Sequence, residues 1–98
     1  MIVVVSATAE ADLEAIGDHI AKDNPVRALS FIRELRGLCL GLADIPRAFP
    51  LVPRYEGRGV RWRVYGNYLI FYRLEADTVT VLHILHGAVD FAPILFPS

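Results

Sequence analysis

The pattern of short strands and amphipathic helices predicts an α+β domain with the element order β-α-α-β-β-β. A helical hairpin should pack on one face of a mostly antiparallel four-stranded sheet. Three observations lead there. A β-branched run, "IVVV", stands at residues 2–5. Two stretches with apolar residues at helical spacing follow, split only by Asn24-Pro25. Three β-rich segments then occupy residues 60–86, separated by short turns. At 98 residues the chain has room for a single domain, 1–98, and not for two.

Ser6 bounds the first strand. Ser6 or Thr8 can cap the helix that follows, because a hydroxyl oxygen accepts from a free amide of the first turn. Ala9, Leu13, Ile16 and Ile20 then form one apolar stripe. Glu10, Asp12 and Glu14 sit near the positive end of the helix dipole, which favours anions. This helix should end near Asp23. Asn24 can cap the next one, and Pro25 suits its first position, where a missing N–H costs nothing. Ala28, Phe31, Ile32, Leu35, Leu38, Cys39 and Leu42 cover one broad face of the second helix. Val26, Leu29 and Leu40 fall on the opposite side and hint at a contact face. Pro46 lies beyond the helix end, and the short break between the helices makes an antiparallel hairpin.

"RAFPLVPRYEGRG", residues 47–59, is a loop by its prolines and glycines. Strands are expected at 60–65, 68–74 and 78–86. Gly66-Asn67 suits a type II′ hairpin, and Ala76-Asp77 marks the next turn less firmly. The tail "FAPILFPS" is apolar but broken by two prolines, so it is not a regular central strand.

Apolar residues make up 54% of the chain, against an ordinary ~45–50%. The surplus must go to a core, a membrane or a partner. No run approaches the roughly 18 apolar residues that a spanning helix needs. The start, "MIVVVS", lacks a basic region and a cleavage site, so it does not read as a signal peptide. The expectation is a cytoplasmic protein with apolar surface to hide. Cys39 is the single cysteine, which neither staples the fold nor builds a metal site alone. Charge is unevenly spread. Residues 47–73 hold Arg47, Arg54, Arg58, Arg61, Arg63 and Arg73 against Glu56 alone, a net +5 in a chain of net −1. Arginine suits planar contact with carboxylate or phosphate.

The sheet should be apolar on both faces. Tyr68, Ile70, Tyr72 and Leu74 take one side of their strand; Leu69, Phe71 and Arg73 take the other. In the next strand Val79, Val81, His83 and Leu85 oppose Thr80, Leu82, Ile84 and His86. One helical hairpin covers one face. The second must be covered by the tail, by another copy or by another protein. If that strand is regular through Leu85, His83 and His86 point apart and form neither a catalytic nor a metal-binding pair. His86 stands at the strand end with Asp90 in reach as a tether. A zinc site usually wants four ligands, and no Ser-His-Asp order or glycine-rich phosphate loop is visible.

The sequence resembles the RelE/ParE superfamily of bacterial toxin–antitoxin toxins, and within it the ParE or plasmid-stabilisation branch. The resemblance is carried by "SATAEADLEAIGDHIA" at 6–21, "NPVRALSFIREL" at 24–35 and "ADIPRAFP" at 43–50. It continues in "VRWRVYGNYLIFYRL" at 60–74 and "VTVLHILHGAVD" at 79–90. It implies the toxin of a type II system, held silent by a cognate antitoxin whose C-terminal segment wraps it. The antitoxin's N-terminal part binds operator DNA, so the toxin meets that DNA only indirectly. No cofactor, membrane or small-molecule substrate belongs to this picture. Members of the ParE type poison DNA gyrase; those of the RelE type cut mRNA in the ribosome. A third reading is a non-toxic module that serves only as the antitoxin's partner in repression.

The resemblance also separates the branches. The RelE-like kit is a cluster of lysines and arginines with a tyrosine, histidine or further arginine near the C-terminus. Here the only lysine is Lys22, and after Arg73 the basic side chains are His83 and His86 alone. A nuclease would have to use Arg61, Arg63, Arg73 and His86. The non-enzymatic branch is therefore favoured, with Arg58, Arg61 and Arg63 facing the target. Antitoxin contact is expected at Leu69, Phe71, Phe91, Ile94, Leu95 and Phe96. One departure stands out: ParE-like chains often read "HGARD", and Val89 takes the arginine's place.

Overall fold

The computed structural model describes residues 1–98. Its elements are β1 (Ile2–Val5), α1 (Ala7–Ala21), α2 (Pro25–Gly41), β2 (Val60–Tyr65), β3 (Tyr68–Glu75), β4 (Thr78–His86) and a one-turn helix, α3 (Ala92–Leu95). The four strands lie in the order β1-β4-β3-β2. β1 runs parallel to β4, while β2–β3 and β3–β4 are antiparallel, so the sheet is mixed. No helix is long and apolar enough to cross a membrane.

The helix starts follow the sequence signals. Ser6 Oγ accepts from the Ala9 amide at 3.0 Å, and Asn24 Oδ1 accepts from Arg27 at 3.0 Å. α1 stops at Ala21, two residues before the expected Asp23, because the Asp23 and Asn24 amides both turn back onto the Ile20 carbonyl. The helices approach closely at Gly17, where an added Cβ would lie 3.3 Å from the Ile32 side chain.

Two cores result. On the helix face, Leu13, Ile16, Leu35, Cys39 and Leu42 meet Ile70, Tyr72, Val79, Val81 and Ile84. On the other face, Phe71 is 0% exposed beneath Val52, Val60 and Phe96, with Trp62, Phe91 and Leu95 around them. The tail folds back to build this second core. α3 carries Phe91 to 5.2 Å from the Phe71 ring and 5.6 Å from Trp62, and Phe96 stacks on Tyr55 at 4.3 Å. The expectation of Phe71 and Phe96 as docking residues is corrected here. Both are core, because a proline-broken tail cannot extend as a strand and instead lays its aromatic rings on the sheet.

The strand faces also need correction. Phe71 pairs with His83 but Tyr72 pairs with Val81, so β4 carries an extra residue, Leu82, opposite that step. This bulge resets the alternation. Val79, Val81 and Ile84 all join the helix-side core, whereas Leu82 and Leu85 pack against the second one.

The chain closes most of its own sheet edges. Along β2, Leu51 bridges Arg61, the Val52 amide donates to the Val60 carbonyl at 2.9 Å, and Trp62 donates to Pro50 at 3.1 Å. β4 outruns β1, and α1 covers the surplus. Ser6 Oγ donates to the Leu82 carbonyl at 3.2 Å, and Asp12 Oδ2 accepts from the Ile84 amide at 2.9 Å.

Gly66 has φ 58°, as a type II′ hairpin requires. Ala76 has φ 55° in the β3–β4 turn, a left-handed conformation that costs a residue with a Cβ about 1–2 kcal/mol. Part of that cost is recovered by glycine, net of its greater unfolded-state freedom. Ala76→Gly should therefore stabilise the fold by about 0.5–1 kcal/mol, read as a higher denaturation midpoint at unchanged slope.

Candidate functional site

The arginine block does not form one cluster. Arg61 pairs with Tyr72 and Arg63 with Ile70, so both point to the helix side of the sheet. Arg61 Nη1 donates to the Phe49 carbonyl at 2.7 Å. Arg63 Nη1 reaches the Leu38 carbonyl at 3.4 Å, and its guanidinium lies 4.7 Å from the centre of the Phe49 ring. Leu38 belongs to the last turn of α2, where carbonyls lack helical partners and the dipole is negative. Tyr72 Oη adds a bond to the Pro46 carbonyl at 2.8 Å. Burial pushes the Tyr72 phenol above its ordinary range. These three side chains pin the connection from α2 to β2. Arg61 and Arg63 are the two expected from the sequence to face a target or a phosphate, yet both hold main-chain carbonyls.

Arg73 pairs with Val60 and so projects from the opposite face, 3.7 Å from Glu75. His86 pairs with Tyr68, two strands away from β2. Its Nδ1 accepts from the Ala88 amide at 3.0 Å, and its ring stands edge-on to Tyr68 at 5.3 Å. The expected tether to Asp90 is not made, because the chain turns at Gly87 and brings the Ala88 amide to the imidazole first. Arg61, Arg63, Arg73 and His86 thus do not converge on one point. No group of three or more His, Cys, Asp or Glu is placed to hold a metal ion.

His83 has a partner that the sequence reading missed. Its Nδ1 lies 2.9 Å from Asp12 Oδ2, the same oxygen that accepts from the Ile84 amide. Asp12 was read only as a favourable charge in an early helical turn. The signal that could have found it is a length mismatch. A four-residue β1 beside a nine-residue β4 leaves an edge that the following helix must satisfy.

The largest concave surface lies between α1 and α2 on the side away from the sheet, about 1010 Å³ in volume. Small residues floor it: Ala7, Ala11, Gly17, Ala21 and Ala28, with Ile32 and Leu29. Glu10, Glu14 and Asp18 stand on the α1 wall, and Arg33 and Arg36 on the α2 wall. Arg36 bonds Glu10 through both guanidinium nitrogens, at 2.6 and 2.9 Å, which holds the Glu10 carboxyl below its ordinary range. Glu14, Asp18 and Arg33 have no ion-pair partner. Leu29, at the groove's edge, is 66% exposed, and Val26 and Leu40 on the same helix are also open, as their spacing predicts. Elsewhere, Arg27 and the Tyr65 hydroxyl both bind Glu34, with Arg27 the larger cause of its depressed pKa.

The tail residues divide. Ile94 is 43% exposed, while Leu69, Phe91 and Leu95 are half-buried around the second core. Arg54 and Arg58 are exposed beside Tyr55 and Gly57 in a shallow depression. Cys39 is fully buried, and burial pushes its thiol up to about 11.

This architecture, a helical hairpin on a mixed four-stranded sheet, is that of solved toxin–antitoxin proteins. A chain from the chromosomal ParDE toxin–antitoxin system of P. aeruginosa superposes with a TM-score of 0.75 at 22% identity, over 88% of this chain and 95% of that one. A chain from the RelBE2 toxin–antitoxin complex of Mycobacterium tuberculosis gives 0.64 at 21% identity, over 87% and 95%. No curated protein sequence matches the chain. The family described as the ParE toxin of the type II toxin–antitoxin system parDE matches residues 3–91. The chain belongs to this family of type II toxins.

Asp12 gives a direct check on the edge closure. Asp12→Ala leaves the buried Ile84 amide without an acceptor, a loss of about 1–3 kcal/mol. Denaturant unfolding should show that loss, and hydrogen exchange at Ile84 should speed up with it.

Proposed function

We propose that this chain is the growth-inhibiting half of a toxin–antitoxin pair and that it acts in the cytoplasm by binding DNA gyrase, without breaking a bond. Family membership supports the toxin role. The observation that carries the non-enzymatic reading is the dispersal of the four residues a nuclease would need. A general acid must stand within hydrogen-bond reach of the atom it serves, beside the groups that hold the phosphate. Here Arg61 and Arg63 are engaged with carbonyls on one face, Arg73 is on the other, and His86 lies two strands away. Within residues 47–73 the arginines free to face a target are Arg47, Arg54 and Arg58, all exposed. Arg58 is the one of these expected from the sequence.

The cognate antitoxin lies in the groove between α1 and α2. That groove is apolar at its floor, charged on both walls and open, whereas the second sheet face is filled by the chain's own tail. A segment that orders on binding needs apolar area to offset its lost freedom, and Leu29 and the alanine floor supply it. Ile94 is the tail residue open to a segment that wraps further. Operator DNA meets the toxin only through the antitoxin.

Purified toxin at micromolar concentration should block gyrase supercoiling while cellular transcripts stay intact. Normal supercoiling, or cut mRNA, would remove the reading. Leu29→Asp should keep the fold and the toxicity but weaken antitoxin binding at least ~30-fold, as loss of a contact of about 2 kcal/mol does. Binding by titration calorimetry and rescue of growth by co-expressed antitoxin check it.

A further inference from the structure

The edge of β1 is the one sheet edge the chain leaves open. Ile2 donates to the Asp77 carbonyl and Ser6 to the Val81 carbonyl, both toward β4. Alternation then points the N–H and C=O of Val3 and Val5 outward. Natural edges are usually blunted by charge, proline or a bulge. β1 has none of these, and residues 1–9 contain no charged side chain. Val3 and Val5 pack into the helix-side core, so Ile2 and Val4 stand on the opposite face, beside Thr78 and Thr80. Ile2 is 62% and Val4 46% exposed, outside the area that the tail covers.

We infer that β1 pairs antiparallel with β1 of a second copy of this chain, about a two-fold axis at Val4. The hydrogen-bond parity fits. Val3 lies opposite the partner's Val5 and exchanges both main-chain bonds with it, and Val5 does the same with Val3. Val4 meets its own copy across the axis as a non-hydrogen-bonded pair. Ile2 and Val4 of both copies then form one apolar row. The joined sheet has eight strands, with both helical hairpins on the same side.

Two considerations select a second copy over another partner. An acidic or basic segment finds no charged side chain along residues 1–9, whereas a second copy has an equally uncharged strand matched in length. The area is also small. Met1, Ile2 and Val4 expose on the order of 300 Å² per copy, so two copies bury about half of the ~1,200 Å² that marks a stable specific interface. The contact is therefore weak and concentration-dependent.

A cysteine scan along β1 tests the register. At the axis the Val4 Cα atoms come within ~4.5 Å, inside disulfide range. The Ile2 positions of the two copies stay ~13 Å apart. Cys39 is buried and does not compete. Under mild oxidation Val4→Cys should form a disulfide-linked dimer at least ~10-fold faster than Ile2→Cys. Absence of the dimer, or equal rates at both positions, overturns the proposal. In the unmodified chain, exchange at the Val3 and Val5 amides should slow as concentration rises. Rates that ignore concentration, or that slow only when the antitoxin is added, overturn it as well and assign the edge to another strand.

Discussion

A four-stranded sheet that is apolar on both faces cannot stand in water with one cover, and a short chain has little material for two. β3 sets the demand: Ile70 and Tyr72 face one way, Phe71 the other, and all three are fully buried. The helical hairpin meets half of it. The other half falls to the loop through Val52 and Tyr55 and to the short tail from Phe91 to Phe96. A loop can serve as a lid only if it is held down. Arg61 and Tyr72 do that by donating to the Phe49 and Pro46 carbonyls of the α2–β2 connection, and Arg63 by lying over the Phe49 ring while it donates to Leu38 at the end of α2. The Tyr72 hydroxyl needs such a partner, since a buried polar group left without one costs more than the bond contributes.

That requirement changes the meaning of the arginine block. Six arginines within 27 residues look like one anion-binding surface when laid along the sequence. Strand alternation and the edge position of β2 divide them among three tasks. Two fasten the lid, one stands on the far face near Glu75, and three remain in solvent on the loop. A guanidinium suits carbonyl capture because its fork offers several donors in fixed directions. Net charge over a window carries no information about which face each side chain takes.

The element order was legible because each signal was local. β-branched runs, helical spacing, Asn24-Pro25 and Gly66-Asn67 act within a few residues of themselves. Three features were not legible, and each depends on residues far apart in the chain. The bulge at Leu82 shows only in the pairing with β3, since "VLHIL" has no glycine or other local mark. Asp12 takes its role from an edge 72 residues away. The tail's prolines excluded a strand correctly, but only the open Phe71 beneath it explains why Phe91 and Phe96 fold inward. His86 was misassigned for the converse reason: an amide two residues away reaches it before Asp90 can.

With most of the second face covered, Val26, Leu29 and Leu40 still leave an exposed apolar strip on the outer side of α2. The glycines there carry an argument of their own. A Cβ added at Gly37 or Gly41 would meet nothing within 4 Å. Neither glycine adopts the positive φ that would require it. Gly37 lies inside α2, where glycine costs about 0.5–1 kcal/mol relative to alanine, whereas Gly41 is the helix's last residue and costs less. Within the lone chain that cost brings no return in packing or backbone geometry. Both glycines lie close to Leu40, which is itself exposed. Local choices that conflict with stability and have no compensation inside the molecule collect where a protein meets something else. A backbone left bare beside an exposed leucine admits close approach by another chain, which is what the proposed antitoxin contact on the outer face of the hairpin requires.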